Sequence, residues 1–453
     1  MHATTGLPLA APVQQSERIT ILDSLRGIAI LGILLMNIPG FALPVPAVYG
    51  DLMPLNEMGT INFKTWYFID WVLEGSQRAL FSMLFGAGII LFVSRQEKKL
   101  DGLLPADYFF RRQLWLLVFG LINAFVLLWF WDILFHYACI GMILFTFRRL
   151  PVKSLLIAAG ICLVLQTARE NVDFYRDKNM IARGERVAAM DTTKTKLNII
   201  QKEYLQEMQG FKERNSLESR KKMVDESISK VTGGYETFYR FQSARSYRTE
   251  VYFLYYLLWD ILVFMFLGMA FYKSGVLMGN APTRVYWLML IIGLGGGLLL
   301  SWLRLQPLID AKFNNFDYTK AGFFEFYGIS RTFRAIGIFG LIMLLYKSGV
   351  FKWFFALMRP VGQMAFTNYL MQSLLVGLYF YGIGFGMYGK LQRYEIYYVV
   401  AVIWAMEIVW SHIWLRYFRF GPLEWLWRSL TYWKWQPLRK HSAPETVVAV
   451  PAT

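Results

Sequence analysis

Cysteine and histidine are scarce in this chain: 453 residues contain two Cys and four His. Cys139 and Cys162 both lie inside apolar runs, which excludes a disulfide framework and a cysteine-built metal site. No metal is called for elsewhere. GxSxG, P-loop, HExxH and C-x-x-C motifs are absent, so the common nucleophile, nucleotide and zinc signatures are missing. GLGGG (Gly293 to Gly297) sits inside an apolar run without the strand–turn–helix setting of a nucleotide loop, and suits close helix packing instead. Charge is also sparse, at 17%, against 56% hydrophobic residues. A soluble chain of this length would be far less apolar and would divide into several domains. The first apolar run, Ile19 to Leu43, is too long for the core of a signal peptide. No internal repeat of the inverted-transporter kind is visible.

What is present is long apolar runs, 16 Trp and 26 Tyr, a composition suited to membrane interfaces. The formal charge of +16 comes from Lys and Arg clustered between those runs. That placement favours membrane lipids as the partner and argues against nucleic acid. The expected fold class is all-α: a polytopic helical membrane protein with about ten spans of roughly 20 residues. These are placed at 19–41, 77–94, 113–131, 133–148, 153–169, 252–272, 285–303, 329–346, 361–382 and 396–415. Trp66 to Glu74 is expected to form a short interfacial or re-entrant helix, and WFWDI (Trp129 to Ile133) a tight turn. Basic residues are roughly threefold more frequent in one set of loops than in the other, which predicts cytoplasmic termini.

The expected organisation follows. Residues 1–17 form a disordered cytoplasmic tail, 18–170 carry five membrane helices, and 171–250 form a helical extracytoplasmic insert broken at Gly233–Gly234. Residues 251–418 carry five more spans, and 419–453 form a basic, aromatic cytoplasmic tail. The oligomeric state is open, a homodimer included.

Charged and amide groups inside the spans are candidates for function, because a membrane interior penalises them. In RITILDSLRGIAILGILLMN, Asp23 and Arg26 can pair on one helical face. Asn37 lies three turns further on the same face, about 16 Å along the axis. An interfacial ion pair with an interhelical amide bond weighs equally against a functional seam. In WDILFHYA, Asp132 precedes His136 by one turn, the spacing at which a carboxylate can orient an imidazole base. A core histidine that is simply hydrogen-bonded is the competing reading. Arg78, Arg331 and Arg334 are expected at the outer ends of spans, facing an anionic lipid or glycan or snorkelling to headgroups. Asn368 and Gln372 share one face as helix–helix glue, and Glu407 is a buried carboxylate with Ser411 one turn on.

Five stretches carry a resemblance. RITILDSLRGIAILGILLMN, ALFSMLFGAG, WDILxxYA, GQMAFTNYLMQS and FGPLEWLWRSLTY are similar to the YeiB-type bacterial inner-membrane proteins, domain of unknown function 418. That family resembles a broader superfamily of transmembrane acyltransferases. The superfamily's LDxLRG opening maps to Asp23, Arg26 and Gly27, and the polar residue closing its apolar run to Asn37. The resemblance implies transfer of an acyl group, usually acetyl, from cytoplasmic acetyl-CoA or another acyl-CoA to an extracytoplasmic glycan, lipid or small acceptor. For such a donor, Arg26, Arg111 and Arg112 are read from their charge and position as attracting its phosphates at the cytoplasmic mouth, with Asp23 beside them. The residues themselves, rather than the resemblance, suggest His136, held by Asp132, as the base, with Asn37 or Asn123 orienting the acceptor or stabilising the oxyanion. Arg78, Arg331, Arg334, Asn368, Gln372 and Glu407 are candidates towards the acceptor. Two departures stand out. Asn37 occupies a position where glycan acyltransferases commonly carry His, and GLINA places Asn123 where relatives often carry His. His136 is the remaining candidate base. The rival functions are a transporter or flippase of lipid-linked or amphipathic molecules, with Glu407 as its proton site, and a non-catalytic envelope scaffold acting through the insert.

Overall fold

A computed structural model describes residues 19–190 and 196–440 of the chain. The expected tail at 1–17 and residues 441–453 of the tail expected at 419–453, with His2 and His441, lie outside the described residues. Among those described, the regular structure is helical, with one isolated bridge between Phe418 and Arg439. The first group of helices is α1 (Thr20–Ala42), α2 (Ile61–Phe68), α3 (Ser76–Glu97), α4 (Leu104–Phe125), α5 (Leu134–Leu144) and α6 (Val152–Ala188). Then come α7 (Ile199–Arg214), α8 (Leu217–Thr232) and α9 (Tyr235–Tyr247). The second half contains α10 (Phe253–Lys273), α11 (Thr283–Leu288), α12 (Gly295–Asp310), α13 (Asn315–Ala321) and α14 (Tyr327–Ser348). The chain closes with α15 (Lys352–Gln363), α16 (Ala365–Phe380), α17 (Ile396–Tyr417) and α18 (Pro422–Tyr432).

Seven helical stretches are long and apolar enough to cross a membrane: Thr20–Ala42, Ile61–Glu97, Val152–Ala188, Leu254–Lys273, Thr283–Asp310, Tyr327–Ser348 and Ile396–Tyr417. They make this a multi-pass membrane protein. The other three expected spans take different forms. α4 opens with Asp107, Arg111 and Arg112 on its first turns. α5 has 11 residues, roughly 16 Å at helical rise. The stretch 361–382 is broken near Met364, where α15 ends and α16 begins. The expected helix at Trp66 to Glu74 is real but begins earlier. α2 passes into a π-turn over Ile69–Leu73, and the chain then bends at Gly75 (φ +70) into α3.

The bundle is held where backbones touch. α1 lies against α15 because Gly27 and Gly362 lack side chains: a Cβ on Gly27 would sit 2.1 Å from the Met358 carbonyl oxygen, and one on Gly362 would sit 1.7 Å from that of Asp23. Ser24 closes the contact by donating to Phe355 O at 2.8 Å. The GLGGG stretch packs closely, as its composition predicts. A Cβ on Gly297 would reach 2.5 Å from Arg334 N, and one on Gly293 would reach 2.7 Å from Gly337 N. Small residues are what let helices approach closely enough to pack in lipid.

Two segments expected to be peripheral are structural. α6 runs without a break through residue 170, so the insert begins as an extension of a membrane helix. Its later helices dock on the bundle end reached by the C-terminus of α1. Arg220 pairs with Asp51 at 2.9 Å, and Val45 N donates to Ser227 Oγ at 3.1 Å. The C-terminal stretch expected to be a tail forms α18 and returns beneath the opposite end, where Arg419 N donates to Leu438 O at 2.9 Å.

Introducing a methyl at Gly27 should separate α1 from α15. We expect Gly27→Ala to lose about 1–3 kcal/mol, while Gly160→Ala, at a position with nothing within 4 Å, leaves thermal unfolding in detergent unchanged. Equal melting temperatures for the two variants would exclude this packing account.

Candidate functional site

A cavity of about 270 Å³ opens at the end of the bundle where α1 begins and α3 finishes. Its walls come from α1, α3, α4, α5, the α15–α16 junction and α18. Arg26, Arg95, Arg112 and Arg428 line its mouth. Asp23 is buried and pairs with Arg26 at 2.9 Å, and Gln363 Nε2 donates to its other oxygen at 3.3 Å. The Arg112 guanidinium stacks 3.6 Å from the Trp427 ring centroid, and the Trp427 indole N–H donates to Arg112 O at 2.9 Å. This stacked arrangement presents planar donors to a phosphate or carboxylate. Further in, the lining is apolar, including Phe81, Leu84, Phe85, Leu116 and Phe366. Gly88 contributes open space, since a Cβ there would meet nothing within 4 Å. Tyr137, Tyr369 and Leu134 form the deep end.

Two polar groups lie behind those tyrosines. Tyr369 donates to Asp132 at 3.3 Å, and Asp132 also accepts from Asn123 Nδ2 at 2.7 Å and Phe135 N at 2.9 Å. Tyr137 shares a 2.5 Å hydrogen bond with Ser82 and donates to Arg78 O at 3.3 Å. The expected Asp132–His136 pairing is corrected here. Asp132 spends its acceptors on Asn123, Phe135 and Tyr369, and the carboxylate beside the imidazole is Glu250, with Oε2 3.2 Å from His136 Nδ1. Asn123 is likewise committed as the amide that holds Asp132, rather than being open towards a ligand.

The structure thus brings Asp23, Arg26 and Arg112 together at one cavity. Arg111 instead pairs with Asp107 at 2.7 Å on the outer face of α4. Asn37 is half-buried, about three turns along α1 beyond Arg26, the last residue of that helix to line the cavity. The arginines expected to face outward behave differently. Arg331 and Arg334 are 1% and 0% exposed. Arg331 pairs with Asp260, which also holds Arg78 at 3.0 Å. Arg334 donates to the backbone carbonyls of Asp70, Trp71 and Glu74 and to Ser301 Oγ, and so secures the π-turn before α3. Arg78 alone of the three keeps a partly exposed side chain, at 29%. Asn368, Gln372 and Glu407 form interhelical glue. Asn368 bonds Val361 O, Ser411 and Trp410, while Gln372 bridges Ile30 O and Glu407 at 3.2 and 3.1 Å.

Sequence reasoning missed Asp260, Glu74 and Glu250. Asp260 carried a visible signal, a lone carboxylate within an apolar span. Glu250 lies at the edge of a polar segment, where nothing in the local pattern marks it.

The class that the fold and cavity define is a multi-pass helical membrane protein with a basic-mouthed, apolar-walled cavity at one end. The chain belongs to the DUF418 family of proteins of unknown function, and residues 271–434 match the family directly. It is 30% identical over 445 residues to YxaH of Bacillus subtilis strain 168, spanning 95% of this chain and 98% of that protein. It is also 30% identical over 433 residues to YeiB of Escherichia coli K12, spanning 92% and 96% respectively. A 39.9 kDa protein from the amylase 3′ region of Bacillus acidopullulyticus is 25% identical over 431 residues, or 93% of this chain and 96% of that protein. No solved structure matches. The stretch FGPLEWLWRSLTY, within the matched residues, supplies Glu424, Trp427, Arg428 and Tyr432 to the cavity wall.

The Asp260 pair yields a stability prediction. Asp260→Asn leaves the buried Arg331 without its counter-charge, and we expect a loss of about 3–5 kcal/mol. The double variant Asp260→Leu/Arg331→Leu, which removes both charges, should recover most of that loss in the same unfolding measurement.

Proposed function

We propose that this protein is a transmembrane acyltransferase that draws an acyl group, in the first instance acetyl, from a cytoplasmic CoA thioester. The observation that carries the reading is the cavity. Arg26 and Arg112 stand at a cationic mouth fit for the donor's phosphates, and an apolar interior leads to two tyrosines. In this reading the mouth faces the cytoplasm of a bacterial inner membrane and both termini lie on that side. α4, α5 and α15–α16 complete about ten crossings, with the insert on the far face.

The chemistry is acyl substitution. An acceptor hydroxyl or amine attacks the thioester carbonyl carbon; a C–O or C–N bond forms as the C–S bond breaks, and the departing thiolate takes up a proton to leave as free CoA. His136 receives the acceptor's proton. The acceptor is an extracytoplasmic glycan, lipid or small molecule that enters from the insert side. Asn37 orients it, and Arg78 meets any anionic group it carries. The Tyr369–Asp132–Asn123 chain fixes the deep end of the cavity.

A transporter is the second reading. One observation favours it: Glu407 is fully buried and its Oε1 has no hydrogen-bond partner, as a proton-carrying site requires. Net movement of a substrate without consumption of acyl-CoA would support that reading.

Purified protein in nanodiscs should bind radiolabelled acetyl-CoA saturably. Arg112→Ala and Arg26→Ala are each expected to weaken binding about tenfold, the loss of one charge-assisted contact. Gly88→Leu, which starts from a Cβ position with nothing within 4 Å and projects into the cavity, should remove binding while leaving the unfolding temperature intact. His136→Ala should bind normally but fail to label an envelope-extract acceptor. Absence of saturable binding at millimolar donor would overturn the acyltransferase reading.

A further inference from the structure

His136 and Glu250 are buried to 0% and 2% exposure and face each other across 3.2 Å. Neither ring nitrogen and neither carboxylate oxygen makes an aligned hydrogen bond. The backbone carbonyls of Asp132 and Thr249 flank the ring, Arg78 acts electrostatically on His136, and Asp132 acts on Glu250. Buried polar groups are nearly always satisfied, so an unaligned acid–imidazole pair calls for an explanation. Among the described residues, His136 is the ion partner recorded for Glu250. Catalytic hydrogen bonds are often long or poorly aligned before substrate arrives and tighten in the complex.

The position of Glu250 in the chain gives the pair its meaning. Glu250 lies in the π-turn Arg248–Tyr252, the point where the insert returns to the membrane bundle. π-turns of this kind are frequent at functional sites. The helix that leads into the turn, α9, is docked on the segment that presents His136. Ser246 Oγ donates to Ala124 O at 2.7 Å, Gln242 Nε2 reaches Leu128 O at 3.4 Å, and the Arg245 guanidinium stacks 3.5 Å from the Phe130 ring. The insert therefore hands one carboxylate to the only described histidine buried beside the cavity's deep wall. His136 neighbours Tyr137, which lines that wall.

We infer that Glu250 is a positioning residue that holds His136 in one tautomer, with the proton on Nδ1 and Nε2 free to accept, and that the docked insert completes the site. Asp132, the carboxylate one turn away on the same helix, does not serve this role because its oxygens are already committed. The kinetic arm rests on the acyl-transfer reading; the tautomer arm does not.

The test compares wild type, Glu250→Gln and Glu250→Asp as full-length protein in nanodiscs, with ¹⁵N-labelled histidine assigned through His136→Gln. Wild type should show His136 protonated on Nδ1. Glu250→Gln, which keeps shape but loses the carboxylate, should lose that single tautomer, and Glu250→Asp should restore it in part. Acyl transfer in Glu250→Gln should fall about a hundredfold in kcat, the scale of a lost acid–base contribution, with KM for acetyl-CoA within twofold of wild type. A tautomer unchanged by Glu250→Gln overturns the inference, whatever the kinetics. If no variant or wild type turns over acyl-CoA while the tautomer follows the carboxylate, the pairing stands and the acyl-transfer reading falls. Unfolding curves on each sample identify misfolded protein, and Glu250→Asp then carries the comparison.

Discussion

Asp260 is the carboxylate on which the membrane bundle turns. Placed within an apolar helix, it is tolerable only with counter-charges, and it takes two: Arg331 from α14 and Arg78 from α3. Three helices distant in sequence are thereby fixed in register around one buried charge. Buried ion pairs add little net stability but penalise any arrangement that separates them. Arg334 extends the same logic without a carboxylate as its main partner. By collecting three backbone carbonyls it holds open the π-turn that aims α3 into the bundle. The wall of the cavity is the far face of that helix.

Around this frame, polarity is graded along one axis. Guanidiniums occupy one end, aromatic and aliphatic side chains the middle, and tyrosines backed by Asp132 the interior. The insert docks at the opposite end through Arg220 and Ser227, and through Ser246 on the α4 backbone.

Much of this was readable beforehand where lipid imposes the rule. Apolar length located the seven long crossings, the break at Gly233–Gly234 marked α9, and GLGGG announced a close helix contact. The helical arithmetic on Asp23 and Arg26 paired them correctly on one face, because i to i+3 geometry is local. What could not be read was partnership across the chain. Asp132 and His136 satisfy every local criterion for a pair, yet the imidazole's carboxylate comes from residue 250. Arg331 and Arg334 lie close to a span end, so nothing nearby shows that an aspartate on another helix draws the first inward. Helix length was misjudged where the chain breaks near Met364, since an apolar run continues straight across the break.

The order of synthesis acquires a meaning from the placement of α18. Asp23 and Arg26 leave the ribosome in the first described helix, but Gln363, Trp427 and Arg428, which close the cavity around them, arrive more than 330 residues later. Until then α1 must rest in the bilayer with its charged pair relying on each other and on the headgroup region. The glycine contact with α15 is also unavailable until that helix has been made. A cavity walled by helices from both halves of the chain is therefore enclosed only once the later helices have been made. A polypeptide released early can insert most of its spans and still present no enclosed pocket.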